Sequence, residues 1–193
     1  MFHELLLERV SGFCQLSAAQ LDQLERHYKL MLHWNKKINL TRIEGIDEAL
    51  DRHYAESLFL GVNLPSGPLS IADVGSGAGF PGIPIAVLRP ECTVTLIESH
   101  QRKAVFLREA SRSLSSVSVI SKRAQEVTGK FDWIVSRAVS WEEIQKFAFR
   151  LAPNLALLGT QAPGLAEKVI PLPWAEQRSV MFHVKHGDNH VVC

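Results

Sequence analysis

The sequence contains little cysteine and no apolar segment long enough to cross a membrane. Among 193 residues there are three cysteines, Cys14, Cys92 and Cys193. This odd and scattered set argues against a disulfide framework and for a reducing compartment. The longest apolar runs fall short of the roughly 20 residues that a membrane-spanning helix requires. The N-terminal residues also lack the basic leader of a secretory signal. We therefore expect a cytoplasmic protein that does not bind a membrane.

The chain also lacks a strong charge of either sign. Its 21 Lys and Arg residues and 20 Asp and Glu residues give a net charge of +1. Such a balance neither indicates nor excludes a nucleic-acid-binding surface, which can be formed by a local cluster of basic residues. The hydrophobic content of 46% is typical of a globular protein with a substantial core. We expect a monomer.

The pattern of apolar residues changes near residue 65. Ser17 and Gln20 have the spacing of a capping box, ahead of a predicted helix that runs to about Trp34. The turn residues of "LPSGPLS" then mark a boundary. We predict an N-terminal helical segment at 1–64, packed on a domain that spans 65–193.

From residue 71 onward, short apolar strands alternate with helical segments. The predicted strands are "SIADVG", "TVTLIE", "SVSVIS", "FDWIVSRAV" and "LALLGTQA". This alternation predicts an α/β fold, in which a mainly parallel sheet carries helices on both faces. The C-terminal "RSVMFHVKHGDNHVVC" predicts an antiparallel hairpin with its turn at Gly187 and Asp188.

Four glycines follow the first predicted strand closely, in "DVGSGAGFPG". A glycine-rich turn at the carboxyl edge of such a sheet is a common ligand site. A phosphate-binding P-loop is excluded, because Ile83 and Pro84 replace the Lys and the Ser or Thr that it requires. Residues 77–82 do satisfy G-x-G-x-x-G, so a dinucleotide remains an alternative ligand.

Two acidic residues end the first two predicted strands. A carboxylate at Asp73 would repel a diphosphate in a partly dry cleft, whereas it would attract the sulfonium and α-ammonium groups of S-adenosylmethionine. Glu98 can bind the ribose hydroxyls of either cofactor. We therefore predict an S-adenosylmethionine site that includes Asp73, Gly75, Gly77, Gly79 and Glu98.

Four segments carry a resemblance to a known family. They are "WNKKINLT" at 34–41, "DRHYAES" at 51–57, "DVGSGAGFPGIPIAVLRPE" at 73–91 and "FDWIVSRAV" at 131–139. Together they resemble the bacterial RsmG family, also called glucose-inhibited division protein B, over roughly residues 15 to 140. The resemblance implies a class I methyltransferase fold and S-adenosylmethionine as cofactor. It also implies methylation of N7 of one guanine in 16S rRNA, with the small ribosomal subunit as partner.

The resemblance also assigns residues to the site. It implies cofactor contacts at Gly75, Phe80, Ala124, Gln125 and Arg137. Ala124 and Gln125 follow the third predicted strand of the domain, where a loop can cover the adenine and offer backbone groups to its edge.

Three residues are candidates for the chemistry on the substrate. Guanine N7 carries a lone pair and no proton, so its methylation needs no general base. Arg137 can bind an RNA phosphate, stack on a base or donate to guanine O6, or it can form an ion pair that anchors the strand. The resemblance places Asn39 and His53 at the cleft. Asn39 can instead be a turn residue, and His53 a hydrogen-bonded core histidine.

A group of histidines near the C-terminus superficially resembles a metal site: His183, His186 and His190, with Cys193. Residues 183 and 186 of a strand face opposite ways, so we predict no metal. Two other functions remain open at this stage. One is an NAD-linked oxidoreductase, and the other is a non-catalytic ribosome-binding module with a vestigial cofactor loop.

Overall fold

The computed structural model describes residues 1–43, 45–137, 139–160 and 166–184 of the chain. The N-terminal region contains α1 (Phe2–Val10), α2 (Ala18–Asn35), α3 (Ile46–Ala49), a π-helical segment (Leu50–Ala55) and α4 (Glu56–Asn63). The following region contains β1 (Ser70–Val74), α5 (Gly82–Leu88), β2 (Thr93–Ile97), α6 (Gln101–Ala110), β3 (Val117–Ile120), a 3-10 turn (Ala124–Glu126), β4 (Trp133–Ser136), α7 (Trp141–Ile144), α8 (Ala148–Leu151), β5 (Asn154–Thr160), β6 (Lys168–Pro171) and β7 (Arg178–Val184).

The strands form one seven-stranded sheet in the order β3-β2-β1-β4-β5-β7-β6. Strands β1 to β5 are parallel, and β7 lies antiparallel between β5 and β6. The prediction of a mainly parallel α/β sheet with an antiparallel C-terminal hairpin is confirmed. Because the chain passes from β3 at the edge back to β4 beside β1, the strand order reverses at β1. The carboxyl ends of β1 and β4 are therefore the place where such sheets bind ligands.

The members of the hairpin differ from those predicted. The partner of β7 is β6, which precedes it in the chain, and the predicted turn at Gly187 and Asp188 lies outside the described residues. Strand β6 is weakly marked in the sequence, because it lies at the edge of the sheet, is largely exposed and ends in a proline. Proline is tolerated in a sheet mainly at such edges.

The N-terminal helices bury their apolar side chains against the sheet. The predicted capping box is confirmed: the Ser17 side chain accepts from the Gln20 N–H, and the Gln20 side chain accepts from the Ser17 N–H. Leu24, Tyr54 and Leu96 belong to one core cluster that joins these helices to the sheet. A second cluster, which contains Ile134 and Phe147, is formed by side chains from α7, α8 and several strands. The boundary predicted between residues 64 and 65 falls in the loop between α4 and β1, and the division into two units stays a prediction.

A buried ion pair joins the N-terminal helices to the last strand. Glu56, at the start of α4, is fully buried and accepts two hydrogen bonds from Arg178 of β7, at 2.6 and 2.7 Å. A carboxylate removed from water is strongly unfavourable unless it is paired in this way. The pair therefore fixes the position of α4 relative to β7.

Within the described ranges, no helix is long and apolar enough to span a bilayer.

Candidate active site

The glycine-rich turn forms a tight loop at the carboxyl end of β1. Gly75, Gly77 and Gly79 have φ angles of +74°, +55° and +91°, which residues with a side chain rarely adopt. A Cβ at Gly75 would lie 3.0 Å from the Val139 Cγ2 atom, and one at Gly79 would lie 2.5 Å from the Ile83 Cδ1 atom. The loop therefore requires glycine for its backbone and, at positions 75 and 79, for the space around it.

Asp73 lies beneath this loop, completely buried. Its Oδ2 atom accepts a hydrogen bond from the Gly82 N–H at 3.0 Å, while Oδ1 has no partner among the described residues. Burial raises the pKa of the Asp73 carboxyl to about 7, although the Gly82 N–H and the Ser76 hydroxyl act to lower it. A buried carboxyl group with an unsatisfied oxygen gains from a nearby cation, which would favour its ionised form.

Glu98 follows β2 and holds the opposite side of the loop. Its Oε2 atom accepts from the Gly77 N–H at 2.9 Å, and its Oε1 atom accepts from the His100 N–H at 2.7 Å. The side chain therefore fixes the loop to the end of β2. Each carboxylate oxygen can accept a second hydrogen bond, so these contacts leave Glu98 able to bind a hydroxyl group.

A cleft of about 270 Å³ lies at this edge of the sheet. The predicted cofactor residues that line it are Gly75, Glu98, Ala124 and Gln125. Arg150 of α8 holds the turn that contains Ala124 and Gln125, because its guanidinium donates to the Val127 and Gln125 carbonyls at 2.8 and 2.9 Å. The sequence analysis did not identify Arg150.

A second and larger cavity, of about 1030 Å³, contains the three predicted catalytic residues, Asn39, His53 and Arg137. Arg137 directly follows β4 and lines this larger cavity, whereas Val139 lines the smaller cleft. The two spaces therefore flank the segment after β4, with Arg137 on the larger side. Arg42, Arg52 and Lys103 also line the larger cavity and make it basic.

Arg137 is held by neutral groups. Its Nη1 atom donates to the Arg52 carbonyl at 2.6 Å and to the Nδ1 atom of His53, and its guanidinium lies 5.6 Å from the centre of the Phe80 ring. Burial lowers the pKa of Arg137 to about 10, so the side chain stays cationic at neutral pH. These partners differ from the ion pair that the sequence left open as an alternative.

His53 is a buried, hydrogen-bonded histidine that also lines the larger cavity. Its ring stacks on Phe80 with 4.4 Å between ring centres, and its Nε2 atom lies 2.9 Å from the Thr41 hydroxyl. Burial, and then the charge of Arg137, lower the pKa of His53 to about 2. The imidazole is therefore neutral and acts as a hydrogen-bonding group between Arg137 and Thr41.

Asn39 is exposed at the cavity, whereas Asn35 has the structural role in this loop. The Asn35 Oδ1 atom accepts from the Leu40 and Thr41 N–H groups at 2.9 and 3.0 Å. The sequence analysis assigned that kind of turn interaction to Asn39 as an alternative. Two asparagines four residues apart gave no signal that would have distinguished them.

Comparisons with known proteins identify the family. The family model for rRNA small subunit methyltransferase G matches residues 20–157. A relative with the name ribosomal RNA small subunit methyltransferase G, from Halorhodospira halophila, is 36% identical over 174 residues, which cover 88% of this chain and 82% of the relative. A relative of the same name from Xanthomonas axonopodis is 39% identical over 196 residues, which cover 96% and 92%. The chain belongs to this family.

Solved structures agree on the fold. A methyltransferase from Pyrococcus furiosus superposes with a TM-score of 0.56 at 16% identity, covering 84% of this chain and 98% of that one. An S-adenosylmethionine-dependent methyltransferase from Aquifex aeolicus superposes with a TM-score of 0.54 at 14% identity, covering 70% and 91%. At these identities the likeness shows the fold alone. That fold is the class I methyltransferase fold that the resemblance implied.

His27 holds the glycine loop from below and was not among the residues predicted from the sequence. Its Nε2 atom donates to the Ala78 carbonyl at 2.9 Å, and its Nδ1 atom accepts from the Tyr54 hydroxyl at 2.9 Å. Burial lowers the pKa of His27 to about 4, so the ring is neutral at physiological pH. A signal existed, because His27 lies on the same face of α2 as Leu24 and Met31, where a polar residue needs a buried partner.

The predicted absence of a metal stays a prediction. In the part of the chain that the structure describes, no group of three His, Cys, Asp or Glu side chains is placed to hold a metal ion. His183 is buried and stacks on Trp141, with 4.3 Å between ring centres. His186, His190 and Cys193 lie outside the described residues.

Gly79→Ala tests the packing of the loop. The new Cβ would lie 2.5 Å from the Ile83 Cδ1 atom and 3.2 Å from the His27 Nε2 atom. Gly67 has nearly the same φ, +90°, and open space around it, so Gly67→Ala isolates the backbone strain. We expect Gly79→Ala to lower the unfolding free energy in urea by about 1–3 kcal/mol more than Gly67→Ala. Calorimetry should also show weaker S-adenosylmethionine binding for Gly79→Ala alone. Equal losses in the two variants would contradict this role of the loop.

The buried carboxyl of Asp73 predicts a pH dependence of stability. Its pKa is about 7 in the folded protein against an ordinary value of 3.8, so the folded state binds this proton more tightly. That contribution to stability is complete below about pH 4 and is lost as the pH rises through 7. In Asp73→Asn the loss is absent, so the unfolding free energy of the variant minus that of the wild type should increase between pH 4 and 7, by an amount on the order of a few kcal/mol.

Urea unfolding at several pH values measures this difference, in which the titrations of His27 and His53 cancel. Asp132→Asn is the control: hydrogen bonds from Ser70 lower the pKa of Asp132, so its pH dependence lies below about pH 4 and its difference from wild type should stay nearly constant between pH 4 and 7. A difference between Asp73→Asn and wild type that does not change with pH would show that Asp73 is not a buried carboxyl with a raised pKa.

Proposed function

We propose that the protein transfers the methyl group of S-adenosylmethionine to N7 of one guanine in 16S rRNA of the small ribosomal subunit. The observation that carries the proposal is the pairing of two spaces at the switch point of the sheet. One is a cleft with glycine backbone and carboxylates, and the other is a basic cavity beside Arg137. The names of the relatives support small-subunit rRNA as the substrate. The choice of N7 rests on the family resemblance and on the chemistry of the cavity.

The smaller cleft fits the cofactor. Asp73 has a buried oxygen without a partner among the described residues, and Gly75 lines the cleft with no side chain to cover its backbone. We propose that Asp73, Gly75, Gly77 and Gly79 hold the methionine part, that Glu98 binds the ribose, and that Ala124 and Gln125 bind the adenine edge. The predicted cofactor contacts Phe80 and Arg137 do not line the smaller cleft: Phe80 is buried, and Arg137 lines the larger cavity, so we propose that Arg137 acts on the substrate. When bound, S-adenosylmethionine supplies a methyl group activated by the positive sulfur.

The larger cavity suits a nucleophile that has no proton to lose. Among the described residues that line it, the one imidazole and the one carboxylate, His53 and Glu48, are both engaged. His53 accepts from Arg137 through Nδ1, and Glu48 accepts from Arg52 at 2.9 Å. An amine or a hydroxyl would need a base, whereas guanine N7 needs only to be positioned. Arg42 and Lys103 can bind RNA phosphates, and Arg52 keeps N–H donors beyond the one that binds Glu48.

The site of action is also proposed from the sequence. Cys14 and Cys92 are free and buried, which agrees with a reducing compartment. We propose that the protein acts in the cytoplasm, as a monomer.

Label transfer tests the function directly. Small subunits from cells that lack this gene are incubated with the purified protein and tritiated S-adenosylmethionine, and the RNA is digested for mass spectrometry. We expect label in 16S rRNA, as 7-methylguanosine at one position. Binding to subunits without label would favour the non-catalytic module, and calorimetric binding of NAD in place of S-adenosylmethionine would favour the oxidoreductase. Label in another nucleoside would refute the N7 assignment.

Arg137→Ala tests whether Arg137 acts on the substrate or on the cofactor. Because Arg137 lines the larger cavity, the variant should lose methylation of small subunits by about 100-fold or more while S-adenosylmethionine affinity changes by less than about threefold. Arg137→Lys keeps the charge but not the planar set of donors. Its methylation activity should therefore lie between those of the wild type and Arg137→Ala. Measurements of kcat/KM and of cofactor affinity by calorimetry decide the matter. Equal losses in both would place Arg137 on the cofactor.

A further inference from the structure

The loop between α2 and α3 brings a hydroxyl group to the larger cavity. Thr41 is half-buried and lines that cavity. Its Oγ1 atom accepts a hydrogen bond from the Ile43 N–H at 3.1 Å and lies 2.9 Å from the Nε2 atom of His53. The loop is fixed by Asn35, whose side chain accepts from the Thr41 N–H at 3.0 Å. The position of the hydroxyl is therefore set by two direct contacts and by the fixed backbone of the loop.

The direction of the His53 contact follows from Arg137. A guanidinium has only donors, so the Nδ1 atom of His53 must accept from it. The neutral ring then carries its proton on Nε2, which donates to the Thr41 hydroxyl oxygen. A threonine hydroxyl has two lone pairs, and the Ile43 and His53 N–H groups occupy both. The Thr41 hydroxyl is left with its own hydrogen and can act only as a donor.

A donor of this kind resolves a problem that N7 chemistry poses. Guanine and adenine both present N7, and on that edge of the base they differ at C6. Guanine has the acceptor O6 there, and adenine has the donor N6. A group that can only donate a hydrogen bond binds guanine O6 and is unfavourable beside the amino group of adenine. The Nη1 atom of Arg137 is already engaged by the Arg52 carbonyl and His53, so the remaining N–H groups of Arg137 and the Thr41 hydroxyl are able to donate into the cavity, which Asn39, Arg42 and Lys103 also line.

We propose that the Thr41 hydroxyl donates to O6 of the target guanine and, together with Arg137, selects guanine over adenine. Thr41 is then a specificity-determining residue, and His53 fixes the direction of its hydrogen. This inference rests on the proposed function, because it assumes that a guanine occupies the larger cavity.

The test removes the donor and the acceptor separately. Small subunits are reconstituted with 16S rRNA that carries, at the position labelled by the wild-type protein, either guanine or 2-aminopurine, which keeps N7 and lacks O6. Thr41→Val removes the donor, and Thr41→Ser is the matched control that keeps it. On guanine we expect kcat/KM to fall about 10- to 100-fold for Thr41→Val and to stay within about threefold for Thr41→Ser. On 2-aminopurine, wild type and Thr41→Val should agree within about threefold.

Two further measurements keep the outcomes distinct. If calorimetry shows that Thr41→Val binds S-adenosylmethionine more weakly than wild type, the kinetic comparison uses Thr41→Asp instead. A carboxylate can accept from the Ile43 and His53 N–H groups but cannot donate. The same loss of kcat/KM on both bases, in whichever of the two variants binds the cofactor, would overturn the inference about Thr41. Failure of the wild-type protein to label any small subunit would instead overturn the proposed function.

Discussion

A loop rich in glycine has few side chains with which to hold itself in place, and the rest of the site depends on how the neighbouring elements fix it. The loop after β1 is fixed through its backbone by groups from other elements. The His27 ring donates to the Ala78 carbonyl, the Glu98 carboxylate accepts from the Gly77 N–H, and the Ile97 carbonyl accepts from the Gly75 N–H. The glycines thus allow the backbone of the loop to approach a ligand closely, and the hydrogen bonds from neighbouring elements make the loop rigid.

The same neighbours connect the loop to the substrate side. Phe80 is the aromatic residue of the loop, and it packs between the rings of His53 and Tyr54, with Arg137 over its face. Tyr54 in turn donates to His27. The N-terminal helices therefore support the loop and orient Arg137 through one set of packed rings, so the two spaces share their supporting side chains. This is a physical reason for the helices to belong to the catalytic unit rather than to serve as an appendage.

The positions of the parallel strands along the chain and the position of the loop could be predicted from the sequence, because both depend on local signals. A short apolar run marks most of the parallel strands, and the left-handed backbone of the loop demands glycine. The contacts that complete the site join residues far apart in the chain: His27 and Ala78 are 51 residues apart, and Glu56 and Arg178 are 122 apart. Such pairs leave only an indirect trace in a single sequence, a polar residue on an apolar face. The roles of Ala124 and Gln125 came from the family resemblance.

The charges that line the two spaces bear on how the positive charge of the methylated base is stabilised. In the proposed reaction, methyl transfer from a sulfonium to N7 moves a positive charge from the cleft that Glu98 lines to a base beside Arg137. In a partly buried site that movement is unfavourable unless negative charge accompanies the base. The cavity itself offers little, since Glu48 is paired with Arg52. In the proposed complex, RNA phosphates supply it by neutralising Arg42 and Lys103, so that binding of the RNA backbone also stabilises the methylated base. A neutral donor at O6 fits this arrangement, because a hydroxyl recognises guanine without adding to the positive charge.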